Sequence, residues 1–246
     1  MENAQLINLS RQITLRRQMD VVANNIANLN TSGFKAKRMI FQEYVMPVAE
    51  ASAFPRGDLR LSYVQDARTV TNFLAGSIQL TGNPLDVAVD GEGWFAVQME
   101  DGTEAFTRNG AFHLSNTGQL VTSEGRPVLT EGGPISFTRE DGKISISDDG
   151  TISTELGTRG RLRLVAMNNP QNAIAIGNNL VTYENPDPVG RVRVIQGGLE
   201  GSNVQGVVEI ADMIEITRKY ESVTKMLKDT DDLSRQAIER LGSTQA

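Results

Sequence analysis

From residue 1 to residue 30 the chain holds neither glycine nor proline, and its apolar residues recur at helical spacing. Leu6, Leu9 and Ile13 step by three and four; Leu15, Met19, Val22, Ile26 and Leu29 then step by four, three, four and three. The second series is displaced around the helix from the first, so the stripe broadens near Ile13–Leu15. Thr31-Ser32-Gly33 follows, and Gly33 suits a left-handed stop. At the other end, Met213, Ile216, Tyr220, Val223 and Leu227 form an unbroken stripe, and Val204, Val207, Ile210 and Ile214 form a second strip beside it. Ser202 or Asn203 is the expected N-cap. A helix over 203–241 would run about 58 Å at about 1.5 Å per residue, a length typical of coiled coils.

Between these ends the pattern changes period. Asp-Gly stands at 90–91, 101–102, 141–142 and 149–150, and Asn-Gly at 109–110. Around them lie alternating runs: Val87/Val89, Phe95/Val97/Met99, Ile144/Ile146, Leu162/Leu164 and Val192/Val194. Arg161/Arg163 and Arg191/Arg193 take the alternate face of the last two. Asn109-Gly110 predicts a type I′ hairpin with Arg108 opposite Ala111 and Thr107 opposite Phe112. Phe34 to Val48 reads as partly extended, and Ala49–Asp58 as a loop. The expected fold class is α+β. Helices at 1–30 and 201–246 pair as a coiled coil, 31–74 connects, and 75–200 forms a central all-β domain of short antiparallel strands.

Composition removes most chemistry. The chain has 246 residues, no cysteine and one histidine, His113. Disulfides, thiolate nucleophiles, Cys-type zinc sites and two-His metal sites are therefore excluded. With 24 Lys+Arg against 30 Asp+Glu, the net charge of −6 argues against a general nucleic-acid binder. No run of about 18 apolar residues exists to span a bilayer, and MENAQLINLSRQ lacks the marks of a secretory signal.

The terminal stripes need partners. Burying one Leu or Ile contributes about 1.5–3 kcal/mol, and two helices facing each other cover only part of such broad stripes. Packing between molecules is the favoured reading; pairing inside one monomer is the plain one. Charges at the two ends are opposite, +4 over 1–40 and −2 over 203–246, which favours mutual register but also fits ordinary solvated faces. Asn24, Asn25 and Asn28 are expected either to cap or to bond across an interface.

The segment MDVVANNIANLNTSGFKAKR (19–38) resembles the N-terminal signature of bacterial flagellar axial proteins, the rod and hook family. GNPLDVAVDGEGWFAVQ (82–98) with FTRNGAFHLSNTGQLVTSEGRPVL (106–129) is similar to that family's central β region. GGLEGSNVQGVVEIADMIEITRKYESVTKMLKDTDDL (197–233) is similar to its C-terminal signature. ITRKYE at 216–221 departs from the family, which more often has Gln before the Arg. Length and the wording TGNPLDVAVDGEGWF with DDGTIS resemble a proximal rod subunit most.

The resemblance implies a structural subunit of the basal-body rod. Its terminal helices would form the inner layer of a helical tube that transmits torque and encloses the export channel. Its partners would be other rod proteins and copies of itself, with the flagellar type III apparatus exporting it to the periplasm without a Sec signal. No enzyme activity, cofactor, metal, nucleic acid or membrane insertion is implied. The expected assembly residues are Leu6, Leu9, Ile13, Met19, Val22, Ile26 and Leu29, with Val204, Val207, Ile210, Met213, Ile216, Tyr220, Val223 and Leu227.

Rival chemistry finds little footing. Asp86, Asp90 and Glu92 invite comparison with paired glycosidase carboxylates, as in a peptidoglycan-cleaving enzyme. Alternation with Val87 and Val89 instead puts Asp86 and Asp90 on a solvent face. Gly91-Glu92-Gly93-Trp94-Phe95-Ala96 fits a loosened dinucleotide pattern, but that pattern needs a helix where WFAVQ reads as strand. Trp94 and Phe95 read as one core and one surface aromatic. The run Lys35-Ala36-Lys37-Arg38 lacks the interleaved aromatics of a nucleic-acid site. A monomeric adaptor whose helices bind a different protein is the remaining alternative.

Overall fold

The computed structural model describes residues 2–45, 62–190 and 192–243. The loop expected at Ala49–Asp58, the last residues of the extended stretch to Val48, and the alternate-face position of Arg191 lie outside them. The chain divides into two compact units.

The first unit comprises 1–27, 37–70 and 205–246. Helix α1 spans Glu2–Ala27 and helix α2 spans Gly206–Ser243. Strands β1 (Lys37–Val45) and β2 (Ser62–Thr71) form a two-stranded sheet. The helices run antiparallel, since Gln12 Nε2 donates to Thr224 Oγ1 at 3.1 Å while Thr217 lies against the Met19 sulfur at 3.9 Å. No helix among the described residues is long and apolar enough to cross a membrane.

The second unit comprises 28–36 and 71–204. Its centre is a six-stranded antiparallel sheet, in spatial order Ile174–Gly177, Leu180–Thr182, Glu104–Thr107, Gly93–Gln98, Leu164–Ala166 and Asp187–Pro188. Both faces are covered. Phe95 and Val97 join Val87, Val89, Phe112, Leu120 and Ile152 in one core, while Trp94, Ala96, Phe106 and Val165 join Met167 and Val181 in another. Successive strand residues point to opposite faces, so WFAV is an unbroken apolar run. That corrects the expected one-core, one-surface split: Trp94 and Phe95 are both buried, on opposite sides of the sheet.

The Asp-Gly turns form, with Gly91, Gly102, Gly142 and Gly150 all at positive φ. Asn109-Gly110 does not. Neither residue is left-handed; the strand before it pairs with Gly93–Gln98 and Leu180–Thr182, and Phe112–Leu114 pairs with Leu120–Thr122. The Asn109 side chain caps its own turn, accepting from the Ala111 amide at 3.1 Å. Gly110 is needed for close approach: a Cβ there would stand 1.7 Å from the Val87 carbonyl oxygen. The left-handed pair that does close a hairpin is Asn178-Asn179.

Asp86 is also corrected. Val87, Ala88 and Val89 are all buried, so this strand has no solvent face, and Asp86 is buried as well. Its carboxylate accepts from Thr81 Oγ1 at 2.6 Å and Asn83 Nδ2 at 2.9 Å, stapling a turn. Asp90 is exposed, as expected. Asp141 does similar work elsewhere in the β unit. The Thr138 amide donates to it at 2.7 Å, Thr154 Oγ1 at 3.2 Å, and the Arg159 guanidinium Nε at 3.1 Å. These contacts hold its carboxyl below the usual range, the Thr138 amide contributing most.

Candidate assembly interface

The apolar stripes sort into a seam the molecule closes itself and flanks it leaves open. Leu15, Met19, Val22 and Ile26 of α1 pack against Met213, Ile216, Tyr220, Val223 and Leu227 of α2. Leu15, Val22, Ile216 and Val223 are buried; the rest are half-buried. Steps of three and four keep each set on one side of its helix, so the two sets meet over Leu15–Ile26 and Met213–Leu227. Leu15 belongs to this seam, although it was not among the expected contact residues; its place in the four-three-four series was the available signal.

Outside the seam stand Leu6, Leu9 and Ile13, 46–52% exposed on α1, and Val207, Ile210 and Ile214 on α2, where Val207 is 85% exposed. Leu29 lies beyond α1, which stops at Ala27, and is exposed. Val204 precedes α2 rather than joining its strip, and is buried with Phe34 and Ala36 in the β unit.

Asn203 does not cap α2, which begins at Gly206. Its side chain ties three chain segments together instead: Oδ1 accepts from the Ala36 amide at 2.7 Å, and Nδ2 donates to the carbonyls of Asn72 and Leu74, both at 2.8 Å. Ser202 Oγ accepts from the Val204 amide at 3.3 Å. In the first unit Asn25 serves a comparable purpose. Buried on α1, it accepts from the Lys37 amide at 2.9 Å and donates to the Lys37 carbonyl at 2.8 Å, offering β1 the pairing a neighbouring strand would give.

Beside Asn203 lies a buried ion triad. Lys35 Nζ reaches Glu200 Oε1 at 2.6 Å and Arg108 Nη1 reaches Glu200 Oε2 at 3.2 Å. The Gly76 amide also donates to Glu200 at 2.9 Å, and Lys35 donates to the Leu74 carbonyl at 2.8 Å. Arg108 further donates to the Gly91 carbonyl at 2.6 Å and lays its guanidinium 5.2 Å from the Trp94 ring centre. Burial lowers the Lys35 ammonium below the ordinary lysine value, with the Glu200 hydrogen bond opposing it; burial likewise lowers Arg108. Gly33, at φ +69°, donates from its amide to the Glu200 carbonyl at 2.7 Å, and a Cβ there would collide with the Asn109 amide. Lys35, Arg108, Glu200 and Asn203 were missed as a set. The signal was a charged residue inside apolar or glycine-rich surroundings: FKA, FTRNG and GLEG.

None of these groups forms a reactive constellation. The charged side chains of the triad and Asp86 are engaged in structural bonds, Asp90 and His113 stand exposed on strands, and WFAVQ is strand. Among the described residues there is no cluster of three or more potential metal ligands.

Comparison with known proteins gives the same three blocks an identity. Residues 6–35 match the flagella basal body rod protein family, 88–157 the flagellar hook protein FlgE/F/G D1 domain, and 195–240 the flagellar basal body rod FlgEFG protein C-terminal family. The chain is 42% identical to flagellar basal-body rod protein FlgF of Caulobacter vibrioides, covering 98% of this chain and 99% of that one. It is 35% identical to FlgF of Escherichia coli K12 over 91% and 92% of the two chains. It is 32% identical to flagellar basal-body rod protein FlgG of Borreliella burgdorferi over 87% and 89%. With similarity extending through both helices and the β unit, this chain belongs to the flagellar basal-body rod protein family, a family of structural proteins and not of enzymes.

Proposed function

We propose that this chain is a structural subunit of the proximal rod, built into a helical tube that transmits motor torque and encloses the export channel. Its terminal segments, 1–30 and 201–246, pair as a coiled coil in the inner layer. The β domain, 75–200, lies outside them and 31–74 connects the two. Other rod proteins and further copies of the chain are its partners. It reaches the periplasm through the flagellar type III apparatus, without a Sec signal.

One observation carries this reading: the molecule buries a central helix seam and leaves apolar residues beside it in water, Leu6, Leu9, Ile13, Val207, Ile210 and Ile214 among them. Such patches mark interaction sites, and a shaft under torque needs many small contacts shared across a lattice. Full-length similarity to FlgF proteins favours the proximal position; another rod subunit is the second reading, favoured by the FlgG likeness.

Leu9→Asp tests the proposal. The position is exposed and outside the seam, so the purified variant keeps its helix content. In a strain lacking the native copy it should abolish swimming and be absent from isolated basal bodies. Normal swimming with normal incorporation would overturn the proposal.

A further inference from the structure

The β unit is closed by its own first and last segments. It begins with residues 28–36, and the chain leaves it after Val204. The Gly33 amide donates to the Glu200 carbonyl at 2.7 Å and the Asn203 amide to the Phe34 carbonyl at 3.4 Å. The Ala36 amide donates to Asn203 Oδ1 at 2.7 Å. Lys35 and Glu200 add their ion pair at 2.6 Å, and Phe34, Ala36 and Val204 share a small buried cluster. Contacts step forward along both segments, 33 with 200 and then 34 and 36 with 203, so the two run in the same direction.

Each segment is anchored behind. Gly198–Glu200 pairs with Ile78–Leu80, and Arg193–Gln196 with Val87–Asp90. The Ser32 carbonyl accepts from Asn179 Nδ2 at 3.2 Å, and the Ala36 carbonyl from the Asn72 amide at 2.8 Å.

Direction decides how such a pair resists tension. The chain comes from α1 into the N-terminal end of 33–36 and passes from the C-terminal end of 200–203 into α2. Parallel segments pulled this way are gripped at opposite ends and must slide, so all the cross-bonds carry load together. Antiparallel segments would be gripped at one end and open a bond at a time. Lifetime under force follows the unfolding barrier, which is higher when the bonds break together.

We infer that 33–36 and 200–203 form a mechanical latch. Tension between the end of α1 and the start of α2 is borne by these segments and kept off the sheets built from the residues between them. The latch is a property of one molecule and does not depend on the rod-subunit reading above.

The chain's lack of cysteine allows handles to be placed at will. Full-length Leu29→Cys/Val207→Cys, exposed positions just outside the latch, is held at fixed force and its lifetime recorded. Asp101→Cys/Leu156→Cys, exposed positions between the two segments, loads the same unit along a path that bypasses the latch. Asn203→Ala is added to each, and unchanged Trp94 emission checks the fold. The lifetime should shorten at least about tenfold through 29 and 207, and less than about twofold through 101 and 156. Lys35→Met, which removes the ion pair between the segments and leaves Glu200 to Arg108, should behave alike and serves if Asn203→Ala does not fold. Equal shortening along both paths would make these residues ordinary stabilisers and overturn the latch. An unchanged lifetime through 29 and 207 would overturn it too.

Discussion

Lys35 and Glu200, 165 positions apart in the chain, meet at 2.6 Å inside the β unit, with Arg108 completing the triad. Buried ion pairs contribute little net stability over an apolar replacement, but removing one partner is costly. Here the shared partner is Glu200, so its loss strands two buried cations.

Glu200→Ala should destabilise the β unit by about 3–5 kcal/mol. Trp94, the only tryptophan, sits under Arg108 and reports directly. Urea unfolding followed by its fluorescence should show the midpoint falling sharply, and an unchanged midpoint would deny the triad its structural role.

Asn25→Ala removes both side-chain bonds to Lys37. Leaving a buried amide and carbonyl unpaired costs about 1–3 kcal/mol. The Lys37 amide, protected in the wild type, should exchange with solvent markedly faster in the variant.

Val22→Asp and Ile216→Asp each put a carboxylate into the seam without a counter-charge. A cost of about 3–4 kcal/mol is expected, read as lost helical circular dichroism. The Trp94 unfolding midpoint should stay where it is. Leu9→Asp should leave both readouts unchanged, separating the closed seam from the open flank.

Asp141 sets an acid limit. Its carboxyl is held below the ordinary aspartate range in the folded chain, so the unfolded chain takes up the proton first as pH falls. Its stabilisation is full well above the ordinary aspartate range and is lost as pH falls through the lower folded value. Asp141→Asn should be less stable than wild type at neutral pH, and the difference should shrink under acid in urea titrations.

The helices were legible because their apolar steps of three and four have one geometric meaning, and Gly33 marked the turn beyond the first. The α+β class and the Asp-Gly turns were legible for the same reason: period and left-handed backbone are local properties. Trp94 and Phe95 were misread because alternation assumes one wet face, whereas their sheet is covered on both sides; Asp86 was misread because it precedes a strand whose Val87, Ala88 and Val89 are all buried. Asn109-Gly110 was misread because turn propensity is local, while strand partners from 87 to 98 and 180 to 182 decided the pairing. The triad and Asn203 depend on contacts across more than ninety residues, which no spacing rule encodes. Where the seam ends and the exposed flank begins likewise emerges only when both helices are set side by side.

The most direct measurement of the central claim compares maleimide labelling of a Leu9→Cys chain free in solution and within isolated basal bodies. The account predicts rapid labelling of the free chain and at least tenfold slower labelling in the rod. Equal rates in the two states would contradict it.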